Sequence, residues 1–191
     1  MMKSTVSMII ATALICGVSA CNQQDKTSSS QLPTKQDTIK RGEYLVATMG
    51  CGDCHSPKIM TPQGPAPDPE RLLSGHRADE NLGPIDTSTL KSWVLFNFNN
   101  TAVVGPWGTS YAANLTSDAT GVGNWTEEQF FTALRKGKYK GLENSRPLLP
   151  PMPWQNTAQL NDGDIKAIFA YLKSTNPVDN VVPAPKAPGQ L

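Results

Sequence analysis

The 191 residues show almost no excess of charge, with 17 Lys and Arg against 16 Asp and Glu and a formal net charge of +1. A general nucleic-acid binder carries a large basic surplus, so no nucleic-acid partner is expected. Histidine is scarce, at two residues, and aromatics reach only 7%. A membrane-spanning helix needs roughly 20 apolar residues, and the apolar run from Val6 to Val18 falls short of that. Wholesale disorder is also set aside, because several segments are strongly periodic. What the chain has in quantity is 16 Pro and 15 Gly. Much of it must therefore run as turns and extended loops. Four cysteines suggest a disulfide or two until their positions are read.

Lys3 places a positive charge ahead of the apolar run, and small residues follow it, the pattern of an export signal. Val18-Ser19-Ala20-Cys21 resembles the bacterial lipobox. That resemblance implies cleavage before Cys21, loss of Cys16 with the signal, and a lipid on the Cys21 sulfur. The expected organisation is a signal peptide at 1–20, a polar Ser-rich tether at 21–36, one domain at 37–176 and a Pro-rich tail at 177–191. An exported protein on the periplasmic side, held to a bacterial membrane by lipid, follows from this reading.

Three helices are predicted. The first covers about Thr38 to Met49, with Gly42, Leu45, Val46 and Met49 on one face. The second opens at Thr126-Glu127-Glu128-Gln129, a capping-box pattern, and presents Phe130, Phe131 and Leu134 before stopping near Gly137. The third starts at Asn161 and aligns Ile165, Ile168, Phe169 and Leu172. Between the first two helices the chain is loop-rich, and Trp93–Phe98 reads as a strand hairpinned with Thr101–Trp107.

Directly after the first helix stands Cys51-Gly52-Asp53-Cys54-His55. Two thiols at this spacing can each add across a haem vinyl group, and the adjacent histidine can reach the iron, which makes C-x-x-C-H the attachment signal for haem c. A structural zinc site wants four N or S ligands, and few thiolates are left to supply them. A thioredoxin-like pair belongs near a βαβ pattern, which is missing. One motif means one covalent haem. Six methionines are candidates for the opposite axial position. Met1, Met2 and Met8 leave with the signal, Met49 belongs to the core, and Met60 lies too close to His55 in sequence. Met152 remains, in Leu149-Pro150-Pro151-Met152-Pro153-Trp154, where prolines restrict the loop that would hold its sulfur. His76 is the rival ligand.

With these residues in place, the chain resembles class I cytochrome c over about Thr38 to Ser174. Gly105-Pro106-Trp107-Gly108-Thr109, Asn114-Leu115-Thr116, Gly121-Val122-Gly123-Asn124-Trp125 and the Met152 segment narrow the likeness to single-haem domains in cytochrome subunits of bacterial membrane-bound dehydrogenases. The resemblance implies a mainly α cytochrome c fold of three or more helices around one covalent haem, with long loops and a small β-hairpin. It implies that Gly42 faces the last helix near Ile168–Tyr171. It also implies electron transfer, with no catalysis or small-molecule substrate expected and a dehydrogenase, reductase or oxidase as redox partner. The alternatives are a haem enzyme or gas sensor with an open sixth position, and an electron-transfer subunit of a larger dehydrogenase complex. Trp107, Tyr111, Asn114, Trp154 and Arg146 are candidates for the haem wall, and Arg135–Lys140 is the densest basic run.

Overall fold

Each long helix opens on a side-chain cap, and the first begins three residues before the expected Thr38. The computed structural model describes residues 32–191; the expected signal peptide, Cys21 and most of the tether lie outside them. Helix α1 (Lys35–Thr48) starts at Thr34, whose hydroxyl accepts from the Asp37 N–H while Asp37 answers at the Thr34 N–H. Helix α2 (Cys51–His55) follows after Gly50, whose left-handed φ of 70° turns the chain sharply between the two. Helix α3 (Glu127–Lys136) carries the expected box between Thr126 and Gln129 and ends at Gly137 in the left-handed region. A short α4 (Trp154–Thr157) precedes α5 (Asp162–Leu172), which Asn161 caps by accepting from the Asp164 N–H.

The core joins α1, α3 and α5. Leu45, Val46, Phe130, Leu134, Ile165, Ile168 and Leu172 form one buried cluster, with Leu73 and Val122 added from the loops. The rings of Phe130 and Phe169 stack at 4.9 Å. Helices α1 and α5 cross at Gly42, where a Cβ would stand 1.9 Å from the Ala167 carbonyl oxygen and 2.7 Å from Tyr171 Cβ. Only glycine permits that approach. Arg41 closes the crossing with a 2.9 Å ion pair to Asp164. One expected core residue is out of place. Met49 is the cap residue beyond α1 and is 38% exposed; the buried stretch of the helix stops at Val46.

The region between α2 and α3 is richer in strand than expected. Strands β1 (Lys58–Thr61) and β2 (Gly64–Pro67) form an antiparallel hairpin running from Lys58↔Pro67 to Thr61↔Gly64. Strands β3 (Leu95–Phe96), β4 (Ala102–Gly105) and β5 (Gly108–Tyr111) form a second antiparallel sheet in that order. The predicted strand over Trp93–Phe98 reduces to Leu95–Phe96, paired with Val104 and Val103. The described chain is therefore a mixed fold of five α-helices and two small sheets. Gly and Pro in this region disfavour helix and leave tight turns and short strands as its regular structure.

Residues 177–191 are fastened to the domain. The buried Asn180 donates from Nδ2 to the Ser74 and His76 carbonyls at 2.7 and 2.8 Å, and its Oδ1 accepts from the Ala78 N–H. Lys186 exchanges backbone bonds with Thr109. Among the described residues no helix is long and apolar enough to cross a membrane.

Candidate haem site

The attachment turn is one short helix, so its spacing is fixed by backbone geometry. Cys51, Cys54 and His55 all lie on α2 and all are half-buried. Both thiols are free. Burial pushes the Cys51 thiol up to about 11, with the neighbouring Asp53 charge adding to the effect. Burial likewise raises Cys54. Thiols held neutral in this way oppose a reactive redox pair, which needs depressed values. Among the described residues no group of three or more His, Cys, Asp or Glu is placed to share a metal ion.

His55 is oriented through its other ring nitrogen. Nδ1 lies 2.7 Å from the Ala113 carbonyl oxygen. A carbonyl only accepts, so Nδ1 carries the proton and Nε2 keeps its lone pair. Burial lowers the His55 pKa, against a smaller opposing pull from the Ala113 bond, and so favours the neutral ring. Three further ties hold this turn. The Gly75 N–H donates to the His55 carbonyl at 2.8 Å. The Ser56 hydroxyl accepts from the Leu73 N–H at 2.9 Å. Lys58 Nζ donates to the Gly52, Asp53 and Ser56 carbonyls at 3.4, 3.0 and 2.5 Å, placing a cation at the C-terminal end of α2 where the helix dipole favours it.

Met152 comes from the later part of the chain. It packs against the same buried cluster as Cys51. The Ser110 hydroxyl on β5 donates to the Pro150 carbonyl at 2.6 Å. Behind the loop, the Trp154 ring covers Gly137, where a Cβ would stand 2.4 Å from it. The Thr157 hydroxyl bonds the Leu134 carbonyl, and Arg135 donates to the Ala158 carbonyl at 2.8 Å. The Met152 loop is thus hung between β5 and α3.

The rival, His76, is tied to the same loop that aims His55. Its backbone N–H donates to the Ala112 carbonyl, next to the carbonyl that takes His55 Nδ1. Its ring is 1% exposed, stacks on Tyr111 at 4.7 Å, and sets Nδ1 2.9 Å from the Thr101 hydroxyl. Burial lowers its pKa, against a smaller opposing pull from Glu80.

The expected wall residues divide. Asn114 is fully engaged, donating to Thr120 and the Val178 carbonyl and accepting from Thr116. Arg146 lies over the Tyr139 ring at 3.9 Å. Two of the four cations in the basic run are paired within the domain, through Arg135–Asp162 and Lys136–Glu143. Trp107 is different, because its Nε1–H is buried with no partner. An unpaired buried donor is costly, and a haem propionate is the kind of acceptor that would satisfy it. With two neutral thiols on one turn, a histidine presenting Nε2 and a methionine on the same core, the residues present suit a covalent haem. Sequence reasoning missed the Ala113 carbonyl, Gly75, Ser110 and Lys58. The first is a backbone atom of an ordinary residue and leaves no sequence signal.

No family model matches the chain. It is 37% identical over 147 residues to a nicotinate dehydrogenase subunit of Pseudomonas putida, covering 76% of this chain and 9% of that protein. It is 41% identical over 134 residues to the cytochrome c subunit of the quinone alcohol dehydrogenase of Gluconobacter oxydans, covering 70% and 20%. With the fructose dehydrogenase cytochrome subunit of Gluconobacter japonicus it shares 29% over 163 residues, covering 84% and 26%. The chain thus spans between about a tenth and a quarter of the length of these relatives. Over that shared stretch, the chain is a homologue of the cytochrome c subunits of dehydrogenases.

Proposed function

We propose that this protein is a single-haem electron carrier, with haem c attached through Cys51 and Cys54 and ligated by His55 Nε2 and Met152 Sδ. The observation that carries the reading is His55, its Nδ1–H fixed on the Ala113 carbonyl at 2.7 Å and its Nε2 left with a free lone pair on the same turn as two free thiols. The bound haem would supply a one-electron iron couple, whose potential Met/His ligation raises. The protein's part is to hold its ligands still. Ala113 and Gly75 fix the histidine ring and the turn that bears it, and Lys58 caps that turn. The prolines around Met152 and the Ser110 bond to Pro150 restrain the thioether, so little rearrangement accompanies a change in charge.

The remaining parts of the proposal concern setting. Cys21, outside the described residues, is the lipid site that would hold the exported domain at a bacterial membrane. The partners would be redox proteins, and the relatives' names favour a dehydrogenase among them. No small-molecule substrate and no catalytic residue are assigned. The test is the oxidised spectrum of the holoprotein. A sulfur-to-iron charge-transfer band in the near infrared, lost in Met152→Ala and retained in His76→Gln, is expected. A high-spin ferric spectrum with rapid peroxide turnover in the unmodified protein would replace this reading with a haem enzyme.

A further inference from the structure

The outer edge of the second sheet is apolar on both sides. Trp93, Phe96 and Phe98 are 69%, 50% and 59% exposed, and Val94 and Leu95 are exposed beside them. Consecutive strand residues point to opposite faces, so Leu95 and Phe96 show apolar surface in both directions. A groove of about 300 Å³ continues the patch along Leu82, Pro84 and Ile85, with Asp86 and Asn97 as its polar lining. No charged residue occurs from Ser92 to Ser117. An exposed apolar surface this continuous marks an interaction site in a soluble domain.

Its shape and setting select the occupant. A protein partner laid on one face leaves the other face of the rim wet, whereas a fluid lipid interface receives a projecting rim from both sides. Tryptophan and phenylalanine are the side chains that settle at bilayer interfaces. The length of chain between lipid and domain supplies the proximity. Twelve residues, 22–33, separate Cys21 from Thr34, which caps α1. A stretch of that length reaches at most about 40 Å, against a radius of gyration near 15 Å for a domain of this size. A domain so attached stays within about its own diameter of the bilayer, where even weak interfacial partitioning is populated.

We propose that the Trp93–Phe98 rim is a second membrane contact, dipping into the interface of the bilayer that the Cys21 lipid tethers. This rests on the reading of Cys21 as the anchor, and the two are separable. Intact mass of the full-length holoprotein first reports the acyl groups. Hydrogen exchange then compares that protein in phosphatidylcholine–phosphatidylglycerol vesicles with Cys21→Ala holoprotein in buffer. Peptides covering 92–98 are expected to exchange at least about fivefold more slowly on vesicles, and Trp93→Ser/Phe98→Ser to abolish the difference. Both side chains are largely exposed, so the variant keeps its fold. Acylated protein with equal exchange at 92–98 in the two samples overturns the proposal and leaves the anchor standing. Slowing that develops in vesicle-free protein on concentration also overturns it, in favour of a contact between copies. If the mass shows no acyl group, the anchor reading fails and cosedimentation with the same vesicles at high lipid decides. Sedimentation that Trp93→Ser/Phe98→Ser removes supports the rim, and none at all overturns it.

Discussion

Between α1 and α5 the backbones meet because a side chain is missing, whereas between residues 56 and 124 they meet because polar groups are present. At the crossing, Gly42 leaves no volume for even a methyl group. In the loop half, Ser56 binds Leu73, Asn114 binds Val178, and Asn180 binds Ser74 and His76. The helical half supplies a rigid frame by packing, and the loop half supplies direction by hydrogen bonds. Both meet at His55, which leaves a helix to be aimed by a loop carbonyl. The two halves should therefore fail in different ways, the first to added volume and the second to lost polar atoms.

The largest effect is expected at the crossing. Gly42→Leu forces a side chain into the Ala167 carbonyl, and overpacking of this kind costs about 3 kcal/mol or more. Denaturant unfolding of the holoprotein should show a strongly reduced midpoint; a change under about 0.5 kcal/mol, the range of ordinary surface substitutions, would break the packing half of the comparison. Asn180→Ala comes next. It removes two bonds to buried carbonyls and the acceptor of the Ala78 N–H, for about 2–3 kcal/mol, with no volume added. An unchanged midpoint would show that the loops do not depend on polar ties.

A smaller effect is confined to acid pH. Burial holds the His76 pKa below its ordinary 6.5, so as pH falls the unfolded chain takes up the proton first. Its contribution is complete above about 6.5 and declines as pH drops towards the folded value. His76→Gln should flatten that part of the stability–pH curve; a wild-type curve rising on acidification would contradict the sign. The smallest effect belongs to Thr126→Ala, which removes one cap and should lower stability by about 1 kcal/mol without moving the haem spectrum.

Local information was legible in the sequence and distant pairing was not. The caps at Thr126 and Asn161 and the C-x-x-C-H turn are set by residues within four positions of each other, and each stands where the pattern put it. The partner of His55 lies 58 residues away and is a backbone oxygen. Asn180 reaches across more than a hundred residues. Hairpin β1–β2 was hidden because Pro65 and Pro67 argue against a strand, although an isolated two-strand ribbon leaves edge positions where proline is tolerated. Met49 shows the opposite error: its spacing suits the buried face of α1, yet the core it would join ends at Val46.

The central claim is one haem stitched to α2, and intact mass of the mature holoprotein, expressed in a host competent in cytochrome maturation, tests it most directly. The account predicts the mass of a single added haem that survives denaturation and disappears in Cys51→Ala/Cys54→Ala. A colourless polypeptide at its bare sequence mass would contradict it.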